Sequence, residues 1–324
     1  MASFRDFGND LYSGKRSIEF VGRRKTWYAV AVVVILLAVI APILRGGFTF
    51  GIEFTGGSEF RIDGVSAQGE SVATEVVNEL FPEADSVVTT VGTDSIRVQT
   101  EQLQDIESEQ LRLALADAYG VEGGEVASSF IGPNWGADVT NQAIQGLVVF
   151  LVLVSLLMAV YFRSWKMSVA ALAALAHDLI ITVGIYGGLG LEVSPAAIIG
   201  FLTILSYSLY DTVVVFDKVR ENTADVEFSE NVTFSEQVNL AVNQTLVRSI
   251  NTSVVAVLPV AGILFIGSLI LGAGTLTDIA LALFVGTIVG TYSSVFVAAP
   301  VYAHLRENEQ KYKDAAEKVL ANRA

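Results

Sequence analysis

The side chain best placed to do chemistry is Asp211, a carboxylate within an apolar stretch of the chain. It lies seven residues before Lys218, where that stretch meets water. A helix that rises about 1.5 Å per residue would therefore place it roughly 10 Å inside a membrane boundary. A carboxylate at that depth is unfavourable by several kcal/mol unless it is neutral, paired or hydrated, so it indicates a functional site. The alternative is a structural carboxylate that hydrogen-bonds a neighbouring helix.

Polar side chains accompany Asp211 in a predicted seam. Residues three or four positions away share its face of a helix, and they include hydroxyl groups as well as Lys218 at the boundary. This spacing predicts a polar seam rather than a lone charge. The predicted seam comprises four residues besides Asp211. They are Tyr207 and Ser208 on the same face, Tyr210 directly before Asp211, and Asn243 from a later segment.

The predicted proton relay consists of Asp211, Arg248, Asp178 and His177. A buried aspartate with an arginine nearby suits such a relay, because the arginine keeps the carboxylate ionised until a conformational change separates the two. One charge that crosses 100 mV is worth about 2.3 kcal/mol, enough to bias a conformational equilibrium. The sequence leaves open whether Asp211 and Arg248 meet. It also leaves open whether His177 and Asp178 form structural hydrogen bonds or a second relay site.

Composition places the chain among polytopic membrane proteins. Of its 324 residues, 52% are hydrophobic and 17% are charged. The absence of cysteine excludes disulfides and thiolate chemistry, and two histidines are too few for a histidine-rich metal site. The sequence lacks hydrolase, zinc-protease and nucleotide-binding motifs, and it has no basic patch for nucleic acid. We therefore expect a protein that is not an enzyme, with no cofactor, no metal and no nucleic-acid partner.

Six apolar segments predict six membrane spans. A basic segment, residues 1–26, precedes the first span at 27–44. Five more spans form a second membrane domain over 142–303, with a cytoplasmic loop at 222–247 and a cytoplasmic tail at 304–324. These five spans are predicted near Ile144–Phe162, Met167–Leu189, Ala196–Phe216, Arg248–Leu271 and Leu276–Tyr302. In the loop, Thr233 and Glu236 form a capping-box pattern, typical of an amphipathic surface helix or a plain linker helix that leads into the fifth span.

The distribution of lysine and arginine predicts the orientation. If the amino terminus is cytoplasmic, 16 of the 20 basic residues fall in cytoplasmic segments. The short outer loops at Leu191–Pro195 and Gly272–Thr275 have none. The positive-inside rule therefore predicts that both termini are cytoplasmic.

The remaining segment, residues 45–141, is predicted to be an extracytoplasmic α+β domain between the first two spans. It holds 17 acidic and 4 basic residues. Apolar and polar residues alternate from Phe48 to Ile62, which predicts a strand with bends at Gly51, Gly56 and Gly57 around Glu53. Two helices (Ser71–Phe81 and Leu103–Tyr119) and three more strands follow, and the order β-α-β-β-α-β is that of a ferredoxin-like unit. The three strands are Ser86–Val91 and Ser95–Gln99, joined by a turn at Gly92–Asp94, and Glu125–Ile131.

Small residues recur in two of the predicted spans. Gly286, Gly290, Ser293 and Ser294 lie in the last one, and a series of glycines follows Gly184 in the third. Small side chains let helices approach closely. Close packing is the interpretation that we favour here over a path for a substrate.

Several motifs together resemble the SecF family, the smaller membrane subunits of the bacterial SecD–SecF protein translocation complex. Glu53 stands where relatives usually have aspartate, and Tyr210 where many have asparagine. By this resemblance Asp211 matches the family's intramembrane proton-conducting carboxylate, and Arg248 its partner arginine. The motifs span most of the chain: Leu11–Lys15, Gly51–Gly57, His177–Asp178, Tyr210–Asn222, Asn243–Leu246 with Arg248, and Gly290–Ser294.

The resemblance also implies partners and a task. The family belongs to the resistance-nodulation-division superfamily, whose members have twelve spans in two halves, so this chain should pair with SecD across a functional seam. It implies a multi-pass protein of the bacterial inner membrane that contacts lipid, protons, the SecYEG channel and translocating preproteins. The task would be to promote preprotein release on the outer face with the proton-motive force. A proton-coupled small-molecule exporter and a passive assembly scaffold remain the alternatives.

Overall fold

The computed structural model describes residues 4–65, 69–91, 95–226, 231–267 and 274–323. The helices are α1 (Phe4–Tyr12), α2 (Arg24–Leu44), α3 (Ile52–Thr55), α4 (Glu70–Leu80), α5 (Asp105–Tyr119), α6 (Pro133–Phe162), α7 (Trp165–Leu189), α8 (Pro195–Asn222), α9 (Phe234–Gly262), α10 (Gly274–Ser293), α11 (Ala299–Arg306) and α12 (Gln310–Arg323). The strands are β1 (Thr49–Phe50), β2 (Gly57–Ile62), β3 (Ser86–Val91), β4 (Ser95–Thr100), β5 (Val126–Ile131) and β6 (Glu192–Val193). Two π-helical segments, Ile263–Gly267 and Ser294–Ala298, continue α9 and α10.

Six of the helical segments are long and apolar enough to cross a membrane, which is the number predicted from the sequence. They are α2, α6, α7, α8, α9 with its π-helical extension, and α10 continued into α11. α6 begins at Pro133 rather than near Ile144. Proline fits the first turn of a helix, where its missing N–H needs no partner, and the helix then runs unbroken into the apolar stretch.

The outer surfaces of these helices suit a lipid environment. Leu36 on α2 is 51% exposed, Leu157 on α6 is 60% exposed and Val255 on α9 is 69% exposed. Side chains of this kind are unfavourable in water in such numbers but favourable against hydrocarbon. The interior, by contrast, holds small residues such as Ala170, Ala171 and Gly200, which let α7, α8 and α10 pack closely.

The segment between α2 and α6 forms a separate α+β unit. Its four strands pair in antiparallel fashion in the order β3-β4-β2-β5, and the elements follow one another as β-α-β-β-α-β. Helices α4 and α5 cover one face of the sheet. Val77, Leu111 and Leu115 pack there with Phe60 and Val98 in a fully buried core. The predicted turn at Gly92–Asp94 and the start of the predicted loop at Gly272–Thr275 lie outside the described residues.

The prediction of one strand from Phe48 to Ile62 is wrong. β1 pairs in parallel with β6, the chain then makes the single helical turn α3, and only at Gly57 does β2 begin. Gly56 and Gly57 have φ values of 74° and 135°, a region that glycine adopts without strain. A Cβ atom on Gly57 would also overlap the carbonyl oxygen of Thr100. The glycines therefore break the strand instead of bending it.

Both terminal segments contain helices that the sequence pattern does not predict. α1 packs on α9, where Gly8 lies against Val247, and Leu11 is fully buried. At the other end, Tyr312 and Val319 of α12 are buried. The predicted capping box at Thr233 is present, and α9 runs from it without a break into the apolar stretch.

Candidate functional site

The helix that carries Asp211 is fixed at its start and tightly packed along its length. Ser194 accepts a hydrogen bond from the backbone N–H of Ala197, and Pro195 occupies the first turn of α8. Further along, Gly290 of α10 lies so close to Ser208 that a Cβ atom there would be 2.8 Å from the serine Cβ. This close approach brings polar side chains of α10 within hydrogen-bond distance of acidic groups on its neighbours.

Asp211 is buried, with 6% of its surface exposed, and is hydrogen-bonded from two other helices. Ser249 of α9 donates to its Oδ1 atom at 2.8 Å. Ser294, at the start of the π-helical segment after α10, donates to its Oδ2 atom. Both donors are neutral and fully buried. The carboxylate is therefore held in place without an opposite charge in direct contact.

Asp178 forms a second buried carboxylate site beside the first. It is 2% exposed, and its Oδ2 atom accepts hydrogen bonds from Ser208 of α8 and, at 2.7 Å, from Ser293. Its Oδ1 atom lies 3.0 Å from Nδ1 of His177. The other ring nitrogen of His177 is buried and has no hydrogen-bond partner in the described chain. The two predicted relay residues on α7 thus interact directly with each other.

Consecutive serines connect the two sites. Ser293 bonds the carboxylate on α7 and Ser294 bonds the carboxylate on α8, so one turn of one helix contacts both acidic groups. The sequence pattern predicts helix packing for Ser293 and Ser294 and gives no separate signal for Ser249. Their common signal is a small hydroxyl residue within an apolar span, which by itself does not distinguish packing from hydrogen bonding to a carboxylate.

Arg248 does not form an ion pair with Asp211. Both residues lie in the described part of the chain, yet the guanidinium is exposed, and its hydrogen bond there is with the hydroxyl of Tyr210, at 3.5 Å. Ser249, the next residue on α9, points to the carboxylate instead. The question that the sequence left open is thus answered: the two side chains do not contact each other, and Ser249 rather than Arg248 bonds the carboxylate.

The predicted polar seam is only partly present. Ser208 belongs to it, and Tyr210 lies on the exposed side of α8 beside Arg248. Tyr207 is half-buried, with no hydrogen bond from its hydroxyl within the described ranges. Asn243 does not lie in the seam. Its side chain binds the backbone of Ile18 through both the carbonyl and the amide group, so it holds the amino-terminal segment on α9.

The Gly51–Gly57 motif lies at the junction between the α+β unit and the membrane helices. Glu192 of β6 accepts hydrogen bonds there from Arg97 and, at 2.9 Å, from Gln99. The nearest oxygens of Glu53 and Glu192 both lie within 2.6 Å of the point where a Cβ atom on Gly51 would stand. The two carboxylates can approach each other because residue 51 has no side chain. Burial raises the pKa of Glu53, and the charges of Glu192 and Glu59 raise it further.

We expect Glu53→Gln to remove a penalty that the fold carries at neutral pH. Because the pKa of Glu53 in the fold lies above its ordinary value of 4.5, its ionised form destabilises the folded state. This penalty is complete above the raised pKa and disappears as the pH falls through it towards 4.5. The variant should unfold at a temperature a few degrees higher than the wild type at pH 7, and this difference should shrink on acidification. Thermal unfolding of the two purified proteins in detergent at a series of pH values measures this.

Glu83→Gln is the matched control, because Glu83 is an exposed carboxylate of the same α+β unit. It should leave the unfolding temperature unchanged at each pH. A constant difference between Glu53→Gln and the wild type across the series would contradict the expectation.

Comparison with known proteins identifies several relatives. A family model described as the C-terminal region of protein export membrane proteins SecD and SecF matches residues 114–308. The protein translocase subunit SecF of Streptomyces coelicolor is 43% identical over 328 residues, covering 100% of this chain and 86% of the relative. The translocase subunit SecDF of Thermus thermophilus is 34% identical over 294 residues, covering 89% of this chain and 39% of that protein.

A solved structure resembles the fold as well. It is the crystal structure of SecDF from Thermus thermophilus, described as a translocon-associated membrane protein. The two structures superpose with a TM-score of 0.79 at 32% sequence identity. The match covers 90% of this chain and 39% of the SecDF chain, so this chain spans about two-fifths of that longer protein.

Proposed function

The chain belongs to the SecD/SecF family of protein export membrane proteins, and from this membership we propose that it is a proton-driven subunit of a preprotein translocase. It is a multi-pass membrane protein of the SecF type, and its task in this proposal is to promote release of preproteins on the outer face of the membrane. The observation that carries the proposal is the pair of buried carboxylates, Asp211 and Asp178, held by neighbouring hydroxyl groups.

These carboxylates suit a relay because a proton changes their charge. No described lysine or arginine lies within ion-pair distance of either one, so their charge state is not fixed by a permanent salt bridge. Binding or loss of a proton at such a depth changes the electrostatic energy of the helix bundle by several kcal/mol. A change of that size is sufficient to shift the balance between two packings of the helices.

The exposed side of α8 and α9 supports a partner of the SecD type. Arg248 and Tyr210 are exposed on this side, and a guanidinium that faces hydrocarbon without an acidic partner is unfavourable. The Thermus relative, whose name combines SecD and SecF, is much longer than this chain. A SecD half that packs on this side would supply the missing polar surface and complete the relay. The SecYEG channel and translocating preproteins are the further partners in this proposal, with no cofactor and no enzymatic reaction.

The α+β unit takes its place in the proposal as a ferredoxin-like domain on the outer side of a bacterial inner membrane. The β3-β4-β2-β5 strand order and the acidic composition of this segment support a soluble unit of that kind. In this orientation both termini lie in the cytoplasm.

Transport in sealed vesicles tests the function. Membrane vesicles that contain the chain together with SecD and SecYEG are supplied with a preprotein and ATP, with and without a proton ionophore. In such vesicles the lumen corresponds to the outer side of the cell membrane. The proposal requires that preprotein release into the lumen depends on this chain and falls when the ionophore removes the gradient. A scaffold would give release that the ionophore does not change. An exporter would give gradient-dependent loss of a small molecule instead of preprotein release.

Cysteine labelling tests the orientation in intact cells, since the chain has no cysteine of its own. We expect cysteines at Glu83 and Asp105 of the α+β unit to react with a membrane-impermeant thiol reagent added from outside. Cysteines at Ser13 and Asn231 should react only after the cells are opened. All four side chains are exposed, so differences in labelling report the side of the membrane. Labelling of Asn231 in sealed cells would overturn the orientation.

A further inference from the structure

The consecutive serines beside the two carboxylates each have a choice of acceptor. Ser293 donates to Oδ2 of Asp178 at 2.7 Å, and the carbonyl oxygen of Gly290 lies 3.2 Å from the same hydroxyl. Ser294 bonds Oδ2 of Asp211, and the carbonyl oxygen of Thr291 lies 3.1 Å away. A serine hydroxyl has one hydrogen and can donate to only one of the two acceptors at a time.

The two possible acceptors of each serine correspond to the two protonation states of the neighbouring carboxyl group. An ionised carboxylate only accepts hydrogen bonds, so the serine hydroxyl must donate to it. A protonated carboxyl carries its own O–H, which can donate to the serine oxygen while the serine turns its hydrogen to the helix carbonyl. In both arrangements the carboxyl oxygen and the serine hydroxyl stay hydrogen-bonded, and both use atoms that already lie within hydrogen-bond distance. The change needs a rotation of one hydroxyl and no movement of the backbone.

We propose that Ser293 and Ser294 are positioning residues that keep Asp178 and Asp211 hydrogen-bonded both with and without a proton. The inference rests on the proposed proton-driven function. The serines do not take up the transported proton, because each keeps one hydrogen throughout. Their effect is to remove the penalty of an unpaired buried polar group from both states, so that neither carboxyl is trapped in one of them.

The backbone at the serines supports this assignment. α10 ends at Ser293, and the π-helical segment begins at Ser294. Short π-helical segments are uncommon and are found frequently at functional sites, since they displace side chains from the regular helical spacing. Gly290 allows α8 to approach this turn closely, which brings the carboxylates of two different helices to consecutive residues of a third. Both serines are fully buried, so surface water cannot replace their hydroxyl groups as hydrogen-bond partners of the carboxylates.

The test is the pH dependence of gradient-driven preprotein release. In the vesicle assay the membrane potential is held constant, and the pH is varied equally on both sides. Ser294→Ala removes a donor from the ionised form of Asp211, so the group should retain its proton at higher pH. We expect the pH of half-maximal stimulation to rise by roughly one to two pH units. Ser293→Ala should act in the same direction through Asp178, and Ser294→Thr, which retains the hydroxyl, should restore the wild-type profile.

Thr203→Ala is the control, because Thr203 lies on α8 and its hydroxyl donates to the carbonyl of Ile199 rather than to a carboxylate. It should leave the profile unchanged.

If Ser294→Ala does not accumulate, Ser294→Cys is measured, and its weaker donor should give a smaller shift in the same direction. Wild-type profiles in the serine variants would overturn the inference while leaving the proposed function intact, provided that Asp211→Asn is inactive. Gradient-driven release by Asp211→Asn would remove Asp211 from the relay and with it the role inferred for Ser294, leaving Asp178 and Ser293 to be tested.

Discussion

Asp211→Asn is expected to abolish the response of preprotein release to the proton gradient while leaving the protein folded. Asparagine keeps the size of the side chain and one oxygen that can accept a hydrogen bond from Ser249 or Ser294. It cannot bind or release a proton near neutral pH, so the charge of the site becomes constant. Release by the variant with a gradient should therefore fall to the rate that the wild type shows with an ionophore. The measurement is release in vesicles, with protein abundance and SecD association checked in the same membranes.

Asp217→Asn is the matched control for this experiment. Asp217 lies on the same helix, but its carboxylate accepts a hydrogen bond from Tyr161 in an exposed contact. The control should retain the gradient response. Asp211→Glu should retain part of it, because glutamate still titrates while its longer chain must be repacked in a fully packed site. A full gradient response in Asp211→Asn at normal abundance would remove this residue from the relay and leave Asp178 as the acidic group to test.

The central acidic residues of the candidate site could be found from the sequence, whereas their partners could not. A carboxylate inside an apolar stretch is conspicuous because it is unfavourable there, and this led directly to Asp211 and Asp178. A serine in the same surroundings is common in closely packed helices, so Ser249, Ser293 and Ser294 carried no comparable signal. Which hydroxyl reaches which carboxylate depends on the relative rotation of α7, α8, α9 and α10. Periodicity along one helix does not determine that rotation.

The two predictions that the structure overturns, at Asn243 and at Phe48–Ile62, fail for similar physical reasons. Asn243 shortly precedes Arg248 in the chain, which suggests a place in the same polar seam. Its side chain instead binds the backbone of Ile18, which is more than two hundred residues away in the sequence. The alternation from Phe48 to Ile62 is a strand pattern until Gly56 and Gly57 adopt positive φ values. In both places a long-range contact or a backbone conformation, rather than the local residue pattern, determines the structure.

The second large effect is expected at Arg248. Its guanidinium is exposed next to the hydroxyl of Tyr210, and no described acidic side chain pairs with it. The bare chain therefore gains little stability from this charge, and Arg248→Met should leave its unfolding temperature in detergent within a few degrees of the wild type. In the proposed translocase the charge lies on the side that SecD covers, next along α9 to Ser249, which hydrogen-bonds Asp211. Its removal should accordingly abolish the gradient response, measured in the same vesicle assay.

Two further variants separate the charge of Arg248 from its hydrogen bond. Tyr210→Phe removes the described hydrogen-bond partner and should leave most of the gradient response, because the guanidinium remains. Arg248→Lys keeps the charge but replaces a planar group with five donors by a compact ammonium, so we expect a partial response at best. If Arg248→Met responds fully to the gradient, the arginine is not part of the relay. If it instead lowers the unfolding temperature of the isolated chain strongly, the arginine stabilises this fold, and the lost gradient response follows from unfolding.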